Sequence, residues 1–309
     1  MPRFFFLRTE RGEWGGIVIA TFRASACLQR CPMNARVVVN LPESIKPLQP
    51  YFVINSAASY LKKSMIGSPI AHFYSFRVSD ASGMALAVPD GSVDILFNCD
   101  SDNPTARVCG STLAAYEIEL QHGQRYFGVR FMPGVMPDFL DLTAGELFGH
   151  EIEFNNAVPG MRHIFEQIAV SEDFNQQIHL FLQTFVSRLS RPSTRLLLQL
   201  VDIILHHHGA IRVEQLEKQT LYCARYIQRI FRDNCGMSPK MFCCMARFQY
   251  ALFLLNQGRA VNLATLAYEL GYADQSHFLR EFKQFAKMPP RAYLAHILAI
   301  NYQQRIQQL

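Results

Sequence analysis

Residues 213–285 contain one arrangement twice, and this repetition narrows the folds open to the chain more than any other feature. The first copy runs Val213–Gln219, then a turn Thr220-Leu221-Tyr222-Cys223, then Ala224–Asn234. In its second stretch Ile227, Ile230 and Phe231 fall at i, i+3 and i+4, the period of a helix with one apolar face. Arg225, Gln228, Arg229 and Arg232 occupy the opposite face. About 50 residues later Leu263–Leu270, a turn at Gly271 and Asp274–Phe285 repeat the pattern. Phe278, Phe282 and Phe285 form its buried stripe, Ser276, Arg280 and Lys283 face away, and Gln275 and His277 sit near the tip. Between the copies, Lys240–Asn256 reads as one long helix with Met241, Met245, Phe248, Leu252 and Leu255 inward and Gly258 at its end.

Charge divides along the same line. Residues 193–309 hold 14 Lys and Arg against 7 Asp and Glu, whereas residues 1–192 hold 16 against 18. A basic module beside a near-neutral one points to a polyanion as partner of the basic part alone. A short helix with an apolar back and an Arg/Gln front suits the major groove of double-stranded DNA. There Arg pairs with guanine O6 and N7, Gln pairs with adenine N6 and N7, and spare cations meet phosphate. One such helix would most simply be a wetted surface. Two in tandem, joined by a helix and both in the basic third, reverse that balance.

The residues that make the pattern specific are Ile227-Gln-Arg-Ile-Phe231, Gly236-Met-Ser-Pro239, Leu266-Ala267, Gly271-Tyr272-Ala-Asp274-Gln-Ser276-His-Phe278-Leu-Arg280-Glu-Phe282 and Pro289/Pro290 followed by Tyr293. They resemble the DNA-binding signature of the AraC/XylS family over roughly residues 195–298, a third of the chain. The first helix-turn-helix is the less orthodox copy, with Arg225-Tyr226 at its helix start. Lys287-Met288 stands where the family often has Gly before the Pro, a departure that affects a turn and not base reading. The resemblance implies a ligand-responsive transcription regulator, with an activator as the expected kind. Arg225, Gln228, Arg229, Arg232, Gln275, Ser276, His277, Arg280 and Lys283 would be its DNA-contacting residues. It also implies RNA polymerase as a partner of an activator, a small-molecule effector and a homodimer.

Upstream, the expected class is α+β, with a β-rich domain (a small barrel or cupin-like sandwich) preceding an all-α DNA-binding domain. His72–Val78, Val93–Phe97, Leu113–Leu120 and Tyr126–Phe131 read as strands, separated by turns at Pro89-Asp90-Gly91, Asp102-Asn103-Pro104 and His122-Gly123. This divides the chain into a poorly readable segment 1–60, a β-rich domain 61–158, a helical segment 159–192 and a DNA-binding domain 193–309 expected to fold alone. Pro89–Phe97, Gly110 and Gly128–Gly134 resemble, less closely, the sensor-like domains of such regulators. Asp94 and Arg130 each interrupt an apolar strand, so they face solvent, pair with one another, or line an effector pocket. In the segment 159–192 the stripe Phe174, Ile178, Phe181, Leu182 and Phe185 is too apolar to stay wet. The β-domain, a helix 193–205 capped by Ser193, or a second subunit must cover it.

Other chemistry finds no support in the residues. No phosphate loop, nucleophile elbow, catalytic triad or carboxylate pair stands out, so neither an enzyme nor a cofactor is expected. The competing readings are an N-terminal domain that only dimerises or binds protein, and an enzyme domain fused to the DNA-binding one with Cys31-Pro32 as its only candidate nucleophile. His206-His207-His208 sits at a helix end, where histidines commonly meet the carbonyls and the dipole, so no metal site is expected. Eight cysteines, including Cys27, Cys31 and the vicinal Cys243-Cys244, read as reduced thiols of a cytoplasmic protein. Arg8, Glu10, Arg11 and Glu13 split the apolar clusters Phe4–Leu7 and Ile17–Ala20, leaving no membrane span, and Met33 is an alternative start.

Overall fold

The computed structural model describes residues 46–79, 85–191, 195–257 and 262–309. Expectations for Phe4–Leu7, Ile17–Ala20, Cys27, Cys31-Pro32, Met33, Ser193 and Gly258 lie outside these residues.

A short helix α1 (Pro50–Ile54) leads into β1 (Ser56–Ser64) and β2 (Ile70–Val78). There follow β3 (Leu86–Ala87), β4 (Asp94–Asn98), β5 (Thr105–Cys109), β6 (Tyr116–Glu117), β7 (Arg125–Phe131), α2 (Ala144–Leu147) and β8 (Glu151–Glu153). Next come α3 (Phe154–Ala157), α4 (Arg162–Val170), α5 (Phe174–Phe185), α6 (Arg195–His206), α7 (Val213–Thr220), α8 (Ala224–Cys235) and α9 (Pro239–Leu255). The run closes with α10 (Leu263–Glu269), α11 (Gln275–Ala286), α12 (Pro290–Ala299), α13 (Tyr302–Arg305) and β9 (Ile306–Gln308). No helix among the described residues is long and apolar enough to cross a membrane.

Seven strands form one sheet in the order β8-β5-β4-β7-β2-β1-β9, antiparallel except at the β1–β9 edge, and β3 and β6 pair apart as a two-stranded ribbon. Both faces are buried, which blurs the alternation that marks a half-wet strand. On one face Phe73, Ile95, Phe97, Phe127 and Val129 meet Phe165 and Ile168 of α4 and Phe174, Ile178, Phe181 and Phe185 of α5. The aromatic stripe is therefore covered by the chain's own sheet, the first of the three alternatives. Each such ring contributes roughly 1.5–3 kcal/mol through removal from water.

The opposite face carries Tyr60, Tyr74, Phe76, Leu96 and Tyr126, and it shares one continuous core with the second helix-turn-helix unit, including Phe248, Leu252, Phe278, Phe282, Phe285 and Tyr293. The first unit has a separate core built from Leu200, Ile204, Leu216, Ile227, Phe231, Phe242 and neighbours. α9 contributes to both cores, with Phe242 and Met245 in the first and Phe248, Ala251, Leu252 and Leu255 in the second. Part of the apolar surface of residues 193–309 thus packs against the sheet in this shared core.

The domain 193–309 was expected to be all-α throughout. Instead β9 adds to β1 in parallel, with Tyr60 opposite Ile306 and Lys62 opposite Gln308. Arg305 Nη1 donates to the Ser56 carbonyl at 2.6 Å, and the Leu309 amide donates to the Lys62 carbonyl at 2.9 Å.

Candidate nucleic-acid interface

The second helix of each unit begins at a turn fixed by local chemistry. In the first unit α7 ends on Leu221, which takes the left-handed conformation (φ 61°) and is 91% exposed. The Ala224 amide at the start of α8 donates to Glu217 Oε1, tying the new helix to the old. In the second unit Gly271 (φ 75°) reverses the chain, and Asp274 caps α11 by accepting from the His277 amide at 2.7 Å. The buried backs are Ile227, Ile230, Phe231 and Cys235 in α8, and Phe278, Phe282, Phe285 and Ala286 in α11.

Of the residues expected to meet DNA, Arg225, Gln228, Arg229, Arg232, Gln275, Ser276, Arg280 and Lys283 are all exposed. His277 is half-buried. Its ring packs edge-on against Tyr272 with centroids 5.2 Å apart, and Nε2 lies 3.9 Å from Glu281 Oε2. Glu281 also accepts from the Tyr272 hydroxyl at 2.5 Å, so the base of the second reading helix is braced by a polar cluster. Arg232 leans toward Asp233, Nε to Oδ1 3.5 Å. The Arg229 guanidinium lies over the ring of Tyr226, a residue that sequence reasoning did not single out for function.

The first unit also touches the β-domain near the C-terminal end of α8. A Cβ at Gly236 would come within 2.6 Å of the Ala144 carbonyl oxygen, so α2 approaches α8 as closely as only glycine permits. Further along, Gln249 of α9 accepts from the Leu48 amide and donates to the Pro89 carbonyl, both at 2.7 Å. The helix joining the two units is thus hydrogen-bonded to the loop that carries Asp90.

Asp94 and Arg130, the strand interrupters, are brought together with Asp90 on the buried face of the sheet. Arg130 Nη2 donates to Asp94 Oδ2, the same oxygen accepts from the Tyr74 hydroxyl at 2.7 Å, and Arg130 Nε stands 3.7 Å from Asp90 Oδ2. Burial raises both carboxyls above the usual range, with the guanidinium opposing it. For Arg130 burial acts to lower its proton affinity, but Asp94, Tyr74 and Asp90 outweigh it and the guanidinium is held above its ordinary value. Asp90, Asp94 and Arg130 line a cavity of about 20 Å³ together with Gln49, Ser92 and Ser111, room for one water molecule. Arg130 Nη1, Asp94 Oδ1 and Ser92 Oγ have no protein partner there.

The histidine tract follows local packing. His206 Nδ1 lies 2.8 Å from the Asp202 carbonyl oxygen, and His208 stacks on Tyr250 with ring centroids 3.6 Å apart. No group of three or more metal-binding side chains occurs among the described residues.

A family model described as a helix-turn-helix domain matches residues 218–296, and a second, for a domain of unknown function (DUF6597), matches residues 65–153. An uncharacterized HTH-type transcriptional regulator of Haemophilus influenzae is 38% identical over 100 residues, 32% of this chain and 33% of that protein. The match thus spans about a third of that relative's length. Among solved structures, a probable AraC family transcriptional regulator from Rhodopseudomonas palustris is 26% identical over 32% of this chain and 97% of that one, with a TM-score of 0.28. ToxT from Vibrio cholerae is 10% identical over 78% of this chain and 97% of that one, with a TM-score of 0.40. Residues 218–296 thus carry a helix-turn-helix domain, and this part of the chain is similar to those of HTH-type transcriptional regulators.

Proposed function

We propose that this protein is a sequence-specific transcription regulator that reads two successive major grooves of double-stranded DNA with α8 and α11. The carrying observation is the tandem itself: two capped helices, each with an apolar back sunk in a core and an exposed Arg, Gln or Lys front, are joined by the single helix α9. Within this reading Arg225, Gln228, Arg229, Gln275, Ser276 and Arg280 meet base edges, while Arg232 and Lys283 meet phosphate. His277, held beside Glu281, contributes from the tip of α11.

The β-domain supplies the regulatory input. Its sheet shares a core with the second unit, its α2 abuts the first, and Gln249 joins its Asp90 loop to α9. A change at the cavity lined by Asp94 and Arg130 would therefore meet the connecting helix within a few contacts. An effector would act there by binding the DNA-competent and incompetent arrangements unequally. Pairing of two copies and contact with RNA polymerase belong to the same reading, as does a cytoplasmic setting.

Titration of the full chain with duplex DNA at several salt concentrations tests it. Specific binding that falls steeply with salt supports the proposal, because neutralised phosphates release counterions. Failure to bind any duplex at low salt would overturn it.

A further inference from the structure

The first unit carries an aromatic pair on its reading face. Tyr226, in the first turn of α8, is half-buried and packs against the core of that unit. Over its ring lies the Arg229 guanidinium, its carbon 4.8 Å from the ring centroid. Tyr222, in the turn before the helix, stacks on Tyr226 with centroids 5.3 Å apart and planes inclined by 24°. Three residues on, Arg232 is drawn toward Asp233, whereas no carboxylate pairs with Arg229 among the described residues.

Helical side chains lean toward the N-terminus, so a residue three places along reaches back over its predecessor. The spacing of Tyr226 and Arg229 thereby delivers the guanidinium to the N-terminal tip of α8, the part of a recognition helix that meets base edges. A cation stacked on a ring uses its flat face, and its N–H groups remain free along the edge. Guanine O6 and N7 need that edge, two parallel N–H donors in one plane. The stack therefore does not compete with base reading. It removes the rotamer freedom that a long, solvated side chain would otherwise lose on binding.

Resting on the DNA-reading proposal above, we propose that Tyr226, backed by Tyr222, is a specificity-determining positioning residue that presents Arg229 edge-on to a guanine in the major groove.

The test uses the full chain and a duplex recovered by selection from a randomised library, with every base pair then substituted in turn. Arg229→Ala identifies the pair at which guanine preference collapses. Tyr226→Leu keeps apolar bulk against the core but removes the ring face. It should lower preference at that same pair by about five- to tenfold and leave affinity for unrelated sequence within about twofold. Tyr226→Phe retains the face and should stay within about twofold of the parent. Tyr222→Ala, an exposed change with little risk to the fold, should give an intermediate loss. The double variant Tyr226→Leu with Arg229→Ala should discriminate no worse than Arg229→Ala alone. Undiminished guanine preference in both Tyr226→Leu and Tyr222→Ala overturns the inference, as does an equal loss on all sequences or a failure of Tyr226→Phe to rescue. If the unsubstituted chain binds no duplex, the proposed function falls first and this inference with it.

Discussion

Asp94 and Arg130 are register partners on adjacent antiparallel strands, and their side chains meet in an ion pair shut away from water. Arg130 is 1% exposed and is enclosed by the rings of Phe52 and Tyr74, 5.5 and 5.3 Å from its guanidinium carbon. The pair stands on the sheet face that packs toward the second helix-turn-helix unit, beside the loop tied to α9 by Gln249. Removing one partner leaves the other charge buried. Arg130→Met should cost about 3–5 kcal/mol, read as a lower urea midpoint, and Arg130→Met with Asp94→Asn should cost less than the sum of the single changes.

Gly128 makes this pair possible. It lies opposite both Tyr74 and Leu96 in the strand register, and a Cβ there would stand 2.0 Å from the Tyr74 ring. The ring crosses β7 at this bare position to reach Asp94. Gly128→Ala must displace the ring and should destabilise by about 1–3 kcal/mol. Loss of the Tyr74–Asp94 hydrogen bond should show as a changed tyrosine environment in near-ultraviolet circular dichroism.

Of the four described non-glycine residues in the left-handed conformation, Leu221 and Lys287 directly follow α7 and α11. A side chain in this region costs roughly 1 kcal/mol that glycine escapes. Both are exposed. Leu221→Gly and Lys287→Gly should each raise the thermal midpoint, corresponding to roughly 0.5–1 kcal/mol after the greater freedom of unfolded glycine is counted. A lower midpoint would mean that these side chains hold contacts outweighing the strain.

Base reading should divide between the two units. Arg229→Ala and Arg280→Ala are each expected to cost about 1–3 kcal/mol on the cognate duplex and to relax preference at a few base pairs. Their two clusters should lie roughly 10 bp apart, one turn of the duplex. Lys283→Ala should weaken binding evenly across sequences. Clusters half a turn apart in a footprint would contradict entry into successive grooves.

Thiol chemistry should follow burial. Cys235 and Cys243 are pushed up to about 12 by their surroundings, and burial raises Cys99, Cys109 and Cys244 as well. At pH 8 these thiols hold little thiolate, whereas Cys223 is exposed. Peptide mapping after brief alkylation of the native protein should find Cys223 modified well ahead of Cys99, Cys109, Cys235, Cys243 and Cys244, and equal labelling would place Cys235 and Cys243 in a looser core.

The helical third was legible almost to the residue. α7 was expected over Val213–Gln219 and runs Val213–Thr220, and α11 was expected over Asp274–Phe285 and runs Gln275–Ala286. Their signal is local, since period, cap and turn glycine all lie within the segment. β1 was not legible, because Ser56, Ser64, Lys62 and Lys63 give it no apolar alternation and its partners lie elsewhere. β9 is more polar still and is defined by a strand almost the whole described chain away. Leu113–Leu120 read as a strand, yet only Tyr116 and Glu117 pair, with the short β3. At Asp94 and Arg130 the residues raised three alternatives; register brings the two together as a pair, and both also line a small cavity. Tyr226 stood in view as an unorthodox helix start, but only the ring-to-guanidinium distance gives it a role.

The parallel ladder between β9 and β1 also bears on strand-to-strand association between copies. An open strand edge is a template on which another chain can pair. Here the β1 edge is occupied by residues 306–308, held down by Arg305 on the Ser56 carbonyl and by the amide of Leu309. During synthesis the other strands of this sheet emerge well before their last neighbour, so the edge stays unpaired until the final helices have passed. The segment that pairs with β1 thereby acts as a late seal, and removing residues 306–309 should bare the β1 edge and increase strand-mediated aggregation.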